Sequence, residues 1–321
     1  MRVDKVSGRA DLSAFVNLPF TLYRNDSNWV PPLKADVRKL LDENHHPFYD
    51  GGREAEIELF LARDGRQVVG RIAAILNHAH NRAHEENVGF FGFFETVQRP
   101  EVVNALLAAA EECAFERGLD AVRGPANPST NYECGLLVEG FDSPPVLMMT
   151  YNPPWYADLI EGAGYAKAKD LYAYISPVHD ASLERLKRLG ARAVRRNPGL
   201  TTRSADLKNF DTEVALIKEL YNAAWEKNWG FVPVSSAEFD ALAGELKDLV
   251  HPDLVRIALI EDDPVGFILT VPDWNTVLKD IGGSLWRHPV NLIRHLHFTK
   301  AESLIGIRLI LLGMKEGFSN R

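Results

Sequence analysis

The polar side chains best suited to chemistry gather between residues 124 and 154, a stretch rich in Pro, Gly and Asn. Glu133 offers a carboxylate that could take a proton, directly or through a water, and Tyr151 a phenol that could give one back. Asn127, Asn131, Tyr132 and Asn152 offer donors and acceptors that could orient a substrate around them. The same residues have purely architectural uses. Asn127-Pro128 and Asn152-Pro153 are turn formers, and a tyrosine ring often closes a core with its hydroxyl bonded.

Other chemistries find less support. Histidines fall in three groups: His45-His46; His78, His80 and His84; and His288, His295 and His297. A helix over residues 77–86 would put His80 and His84 on one face. Metal sites want ligands converging with thiolate or carboxylate help, and the only cysteines, Cys113 and Cys134, form no CxxC pair. The expectation is therefore no metal site and solvated loop histidines. No Gly-x-x-x-x-Gly-Lys loop points to nucleotide hydrolysis.

The elements that must position these residues repeat at an offset of about 200 residues. Asp11 opens an amphipathic helix through Phe15, Leu18 and Leu22-Tyr23 that ends in Asn28-Trp29-Val30-Pro31. Asp211 opens Val214, Ile217, Leu220-Tyr221 and Trp225, ending in Asn228-Trp229-Gly230-Phe231-Val232-Pro233. Asp is read as the N-cap in both, Pro as the stop. Each helix is followed by a hairpin. Strand residues 57–63 turn at Asp64-Gly65 into 68–76, and 254–260 turn at Asp262-Asp263-Pro264 into Val265 and beyond. Gly70 and Gly266 mark a bulge or a close backbone approach in the second strand of each.

Residues 88–95 form a fully apolar run suited to a central strand. Pro100 to Arg117 is a helix with Val103, Leu106, Leu107, Ala110 and Ala114 on one stripe and Gly118 after its end. Residues 119–123 and 171–175 read as strands, 155–161 as a short helix, 183–190 as a connecting helix and 200–206 as a further strand. The alternation predicts an α/β (α+β) protein with mixed sheets flanked by helices. Residues 304–314 read as a buried strand. The stretch 274–300 carries Trp286, Leu292, Ile293, Leu296 and Phe298 among Arg287, Arg294 and Lys300, as a lid or packed helix would, or a membrane-surface segment.

This order resembles the GCN5-related N-acetyltransferase (GNAT) fold, in two tandem copies over residues 1–176 and 177–321. The segment from Ser143 to Tyr156 is similar to a group of uncharacterised bacterial acetyltransferase-like proteins. The resemblance implies acetyl-CoA or another acyl-CoA as acyl donor and a small-molecule or peptide amine as acceptor. A GNAT-like pyrophosphate loop needs glycines and free N–H groups at a helix N-terminus. In the first copy that loop is Glu95-Thr96-Val97-Gln98-Arg99-Pro100, without glycine, so the first copy is expected not to hold coenzyme A in the usual way. In the second, residues 306–314 resemble the fourth strand. The backbone of Leu312, Gly313 and Met314 would bind the carrier and polarise the thioester, and Arg321 approaches the phosphate loop. The second copy is thus expected to be truncated. An N-acyltransferase is the first functional expectation, and a non-catalytic GNAT-like binding module the alternative.

Composition bounds this reading. The 321 residues are 46% hydrophobic and 25% charged, enough apolar material for a sizeable core. The net charge of −8 disfavours nucleic acid as a partner. The first ten residues carry no apolar run and no stretch is long enough to span a bilayer, so a cytoplasmic protein is expected.

Overall fold

A computed structural model describes residues 1–226, 228–247, 249–284 and 306–317. The described residues form two compact units, one of residues 1–170 with 274–284 and the other of those between 171 and 273 with 306–317.

In the first unit β1 (Arg2–Lys5) leads into α1 (Gly8–Leu22) and α2 (Lys34–Leu40), then β2 (Ala55–Asp64), β3 (Gln67–Asn77) and α3 (His78–His84). These are followed by β4 (Val88–Thr96), α4 (Pro100–Phe115), β5 (Ala121–Arg123), a two-stranded ribbon of β6 (Ala126–Asn127) and β7 (Glu133–Cys134), and α5 (Tyr156–Gly162). The main sheet has the order β1-β2-β3-β4-β5, antiparallel except for the parallel pair β4-β5. One sheet face is covered by α4, whose Val102, Val103, Leu106, Leu107, Ala110, Cys113 and Ala114 are buried. Phe15 and Val16 of α1 are buried in a second apolar cluster with Leu61, Ala73 and Ile75 of the hairpin. The α4 stripe read from the sequence is therefore the core stripe.

The second unit runs α6 (Asp180–Arg196), β8 (Leu200–Ser204), α7 (Phe210–Trp225), α8 (Ser236–Leu246), β9 (Val255–Ile260) and β10 (Asp263–Pro272). Next comes α9 (Asn275–Ile281), which packs within the first unit, and last β11 (Ile307–Met314). The sheet order is β11-β10-β9-β8, all antiparallel. Helix α7 lies on it through Val214, Ile217, Leu220 and Tyr221.

The two hairpins share one local device. Register slips by a residue beside Gly70, between Ala62 and Arg63, and again beside Gly266, between Pro264 and the glycine. Gly70 is also a close approach: a side chain there would meet Leu106 Cδ1 at 2.7 Å. Both readings of that glycine hold at once.

Several expectations shift. Asp11 and Asp211 do not cap their helices; the caps are Ser7 and Asn209, and both acids sit in the first turn, where they complement the helix dipole. The second hairpin turns on Glu261-Asp262, both at positive φ, so Asp263-Pro264 already belongs to β10. Residues 171–175 form no strand, because they pair with no sheet edge. Gly190 does not stop α6, which runs six residues further. Strand β11 is an edge among the described residues, with Ile307 and Leu312 largely exposed, rather than buried. The segment 274–300 is described only to residue 284. Its first part docks in the first unit: Asn275 Nδ2 donates to the Pro145 carbonyl at 2.7 Å and Lys34 N to the Gly283 carbonyl at 3.1 Å.

Where β4 parts from β5 beyond Phe90 and Arg123, residues 124–127 press onto β4. A Cβ on Gly92 would stand 1.7 Å from the Ala126 carbonyl oxygen, a backbone atom that cannot swing away. Gly92→Ala should therefore cost about 1–3 kcal/mol of stability in urea unfolding. Gly162→Ala, with nothing within 4 Å of the added methyl, should be neutral or slightly stabilising.

Candidate active site

The β4 strand is bulged where it faces residues 124–127. Phe93 has φ +49°, and the β3 register slips between Arg71 and Ala73. The Phe93 N–H freed by this bulge donates to Asn127 Oδ1 at 2.6 Å. Asn127 pairs across the ribbon with Glu133, so the bulge, Asn127 and Glu133 form one local group. The loop of the ribbon is held internally. Asn131 N donates to Ser129 Oγ, and the Tyr132 ring packs about 6 Å from those of His46 and Phe48.

Glu133 stands apart in its chemistry. Its carboxyl makes no hydrogen bond or ion pair with any described residue, and the protein crowded around it pushes it up to about 7. Water still reaches the side chain. A carboxyl that solvent reaches and that is pushed up to about 7 can exchange protons with a bound molecule.

A second group is built around Glu95, which the sequence reading placed in a loop facing an anion. Glu95 ends β4 directly opposite Arg71 of β3 and points into the core. Its Oε2 accepts from Tyr23 Oη and Tyr156 Oη, both at 2.8 Å. Arg71 Nη2 lies 3.9 Å from Oε1, while Arg71 Nη1 donates to the Phe15 carbonyl at 2.7 Å and the guanidinium lies over the Phe15 ring. Burial raises the Glu95 carboxyl above its ordinary range; Arg71 and the two phenols pull it back. Trp29 stacks on Tyr23 at 5.1 Å, and Asn28 Nδ2 holds the Phe141 carbonyl. The Asn-Trp of the first copy thus walls this group.

Tyr151 belongs here, its ring 6.1 Å from that of Tyr23. Its hydroxyl donates to Asp26 Oδ2 at 2.8 Å; burial and Asp26 together raise the phenol well above its ordinary range. Asn152 is buried and braces the loop, accepting from Leu137 N and donating to the Leu137 and Pro153 carbonyls. Its amide is engaged by backbone. Arg71, Glu95, Tyr23 and Tyr156 were not singled out from the sequence. The signal present was a lone charge in each of two apolar strands; their facing register was not legible.

Three N–H groups of the β4–α4 loop in the first unit are engaged within the protein. Thr96 N donates to Tyr156 Oη, Val97 N to the Val69 carbonyl and Arg99 N to the Val97 carbonyl. The Arg99 side chain is paired with Asp64 and Glu101. In the second unit Gly313 lies beneath α7, 2.9 Å from Ala224 Cβ for an added methyl, while Leu312 and Met314 side chains are exposed. Arg321 lies outside the described residues, as do His288, His295 and His297.

Among the described residues no three His, Cys, Asp or Glu side chains gather as metal ligands. His78 pairs with Glu56, and buried His80 with Glu86, which Arg123 also holds. An open cavity of about 770 Å³ near His78 is lined by Arg53, Arg82 and Arg117, each already paired with a carboxylate. No described helix is long and apolar enough to cross a membrane.

No family model matches the chain. It is 34% identical over 308 residues to Protein YghO of Escherichia coli (strain K12), covering 96% of this chain and 77% of that protein. It is 35% identical over 321 residues to the bacterial ceramide synthase of Caulobacter vibrioides (strain NA1000 / CB15N), covering 99% of this chain and 81% of that protein. Among solved structures, a tandem GNAT protein from the clavulanic acid biosynthesis pathway aligns over 84% of this chain and 74% of its own, at 14% identity and a TM-score of 0.43.

The Glu95 group generates a direct test. Arg71→Met leaves a buried carboxylate without its counter-charge and should cost about 3–5 kcal/mol in urea unfolding. Adding Glu95→Gln should recover part of that loss, giving a double-mutant coupling of about 1 kcal/mol or more. Strict additivity would show that the pair is not coupled.

Proposed function

The chain belongs to the family of Protein YghO and the bacterial ceramide synthase, and we propose that it is a GNAT-like enzyme that transfers an acyl group from an acyl-coenzyme A to an amine. The observation that carries this reading is Glu133, a solvent-reached carboxyl with no partner among the described residues, pushed up to about 7 by the protein around it. An amine arrives protonated and cannot attack until it loses that proton. A carboxylate poised near 7 accepts it, directly or through a water. The amine nitrogen then attacks the thioester carbonyl, the C–N bond forms, the C–S bond breaks, and the departing thiolate takes up a proton. Tyr151 keeps its proton far above neutral pH, the state an acid needs, and is assigned that role here.

Asn127, Asn131, Tyr132 and Asn152 are assigned to the acceptor's surroundings, Asn152 by holding its loop rather than by contact. One relative is named a ceramide synthase, and a ceramide is the amide of a long-chain amino alcohol. That name favours such an amino alcohol as the amine.

A second reading, a binding module without turnover, is favoured by one observation: the Thr96, Val97 and Arg99 N–H groups of the β4–α4 loop in the first unit are already bonded. Titration calorimetry of the full chain with acetyl-CoA and a long-chain acyl-CoA separates the two. Heat of binding followed by amide product in mass spectrometry supports the enzyme, and absence of binding up to millimolar donor sinks it. For the enzyme, kcat/KM should rise with pH and level off above about 7, because Glu133 must be ionised to act. Glu133→Gln should lower kcat about 100-fold or more and remove that pH step while leaving donor binding intact.

A further inference from the structure

Helix α6 is the one long described helix of the chain without a buried residue. Its sequence, DASLERLKRLGARAVRR, separates into two faces. At about 100° per residue, Leu183, Leu186, Leu189, Gly190, Ala193 and Val194 share an arc of about 140°. Arg185, Arg188, Arg192, Arg195 and Arg196 lie opposite. Six cations against Asp180 and Glu184 make this helix strongly basic in a chain whose net charge is −8.

The apolar face is bare: Leu186 is 63% exposed and Leu189 52%. It continues into the preceding segment, where Tyr172, Tyr174, Ile175 and Val178 are all exposed, Ile175 at 96%. An exposed apolar surface of this extent marks a contact with something. The helix is also locally self-sufficient. His179 Nδ1 accepts from Ser182 N at 3.1 Å and Ser182 Oγ from His179 N at 3.2 Å, a reciprocal cap at its start. It therefore needs no packing partner to begin.

We propose that α6 and residues 171–178 form a peripheral docking surface for an anionic phospholipid bilayer. The helix would lie in the plane of the interface. Its leucine face enters the acyl boundary, the arginines reach phosphate, and the tyrosines sit at headgroup depth. At about 26 Å long and with eight charges, it is a helix for lying on a membrane and not for crossing it. Charge complementarity selects this occupant. In a chain of net negative charge, a concentrated basic patch is the surface that an anionic bilayer attracts, and it favours the orientation that presents α6. A protein groove receiving the leucines would make no use of the arginines on the opposite face.

The test needs no turnover, so it stands or falls apart from the acyltransferase reading. The full chain is floated with vesicles of phosphatidylcholine alone, and of equal parts phosphatidylcholine and phosphatidylglycerol. Binding is expected only to the mixed vesicles and should weaken as salt rises. Arg188→Gln with Arg192→Gln should weaken it about tenfold or more. Leu186→Glu with Leu189→Glu should abolish it, with the thermal melt of each variant unchanged because these side chains bury nothing. Equal binding to both vesicle types, no binding, or binding indifferent to both variants overturns the proposal. So does a wild-type dimer that the leucine variant dissociates in sedimentation without any vesicle binding, since a second copy is then the occupant.

Discussion

A carboxylate taken out of water has to be surrounded by donors, and Glu95 imposes that demand on the whole first unit. Satisfying it draws Tyr23 from the end of α1, Tyr156 from the start of α5 and Arg71 from the neighbouring strand to one point. Arg71 in turn reaches back to the Phe15 carbonyl in α1, and Tyr156 takes the Thr96 N–H at the entrance to α4. Four elements are located by one buried charge, and none of them can move without stranding it. In the loop that follows β4 this network takes the Thr96 N–H, while Val97 and Arg99 give theirs to backbone carbonyls, so none of the three is left to offer an anion.

The two carboxyls near the end of β4 and on the ribbon illustrate opposite uses of burial. Glu95 is saturated with partners, and its role is to hold structure. Glu133 is crowded but has no partner among the described residues, as the proposed proton transfer requires. Both are pushed upward by the same desolvation. The difference lies in whether neighbouring groups compensate it, and only an uncompensated group near neutrality can trade protons with a ligand. The bulge at Phe93 links the two, since it redirects β4 between Glu95 and the Asn127 that faces Glu133.

The second unit repeats the hairpin with its bulge and lays α7 across it, but it leaves more apolar surface to solvent. The edge of β11 and the leucine face of α6 are both exposed. They differ in their charge setting: the helix presents its leucines against a concentrated basic face, and that pairing of features gives its exposure a chemical meaning.

Much of the architecture was written in local pattern. The α4 stripe, the paired hairpins, the glycines beside each bulge and the apolar run of β4 follow from periodicity and turn chemistry, which depend on neighbours in the chain. Glu133 and Tyr151 were legible as proton-transfer candidates by type alone. What the sequence could not decide was compensation. Which charge meets which partner depends on register and on loops brought together across more than a hundred residues, as when Tyr151 finds Asp26 or Asn28 the Phe141 carbonyl. Tertiary structure therefore turned Glu95 from an expected loop residue into a largely buried hub and gave the Asn152 amide backbone partners. It left Glu133 as a carboxyl that no described partner neutralises, because a pKa is set by the surroundings and not by the residue.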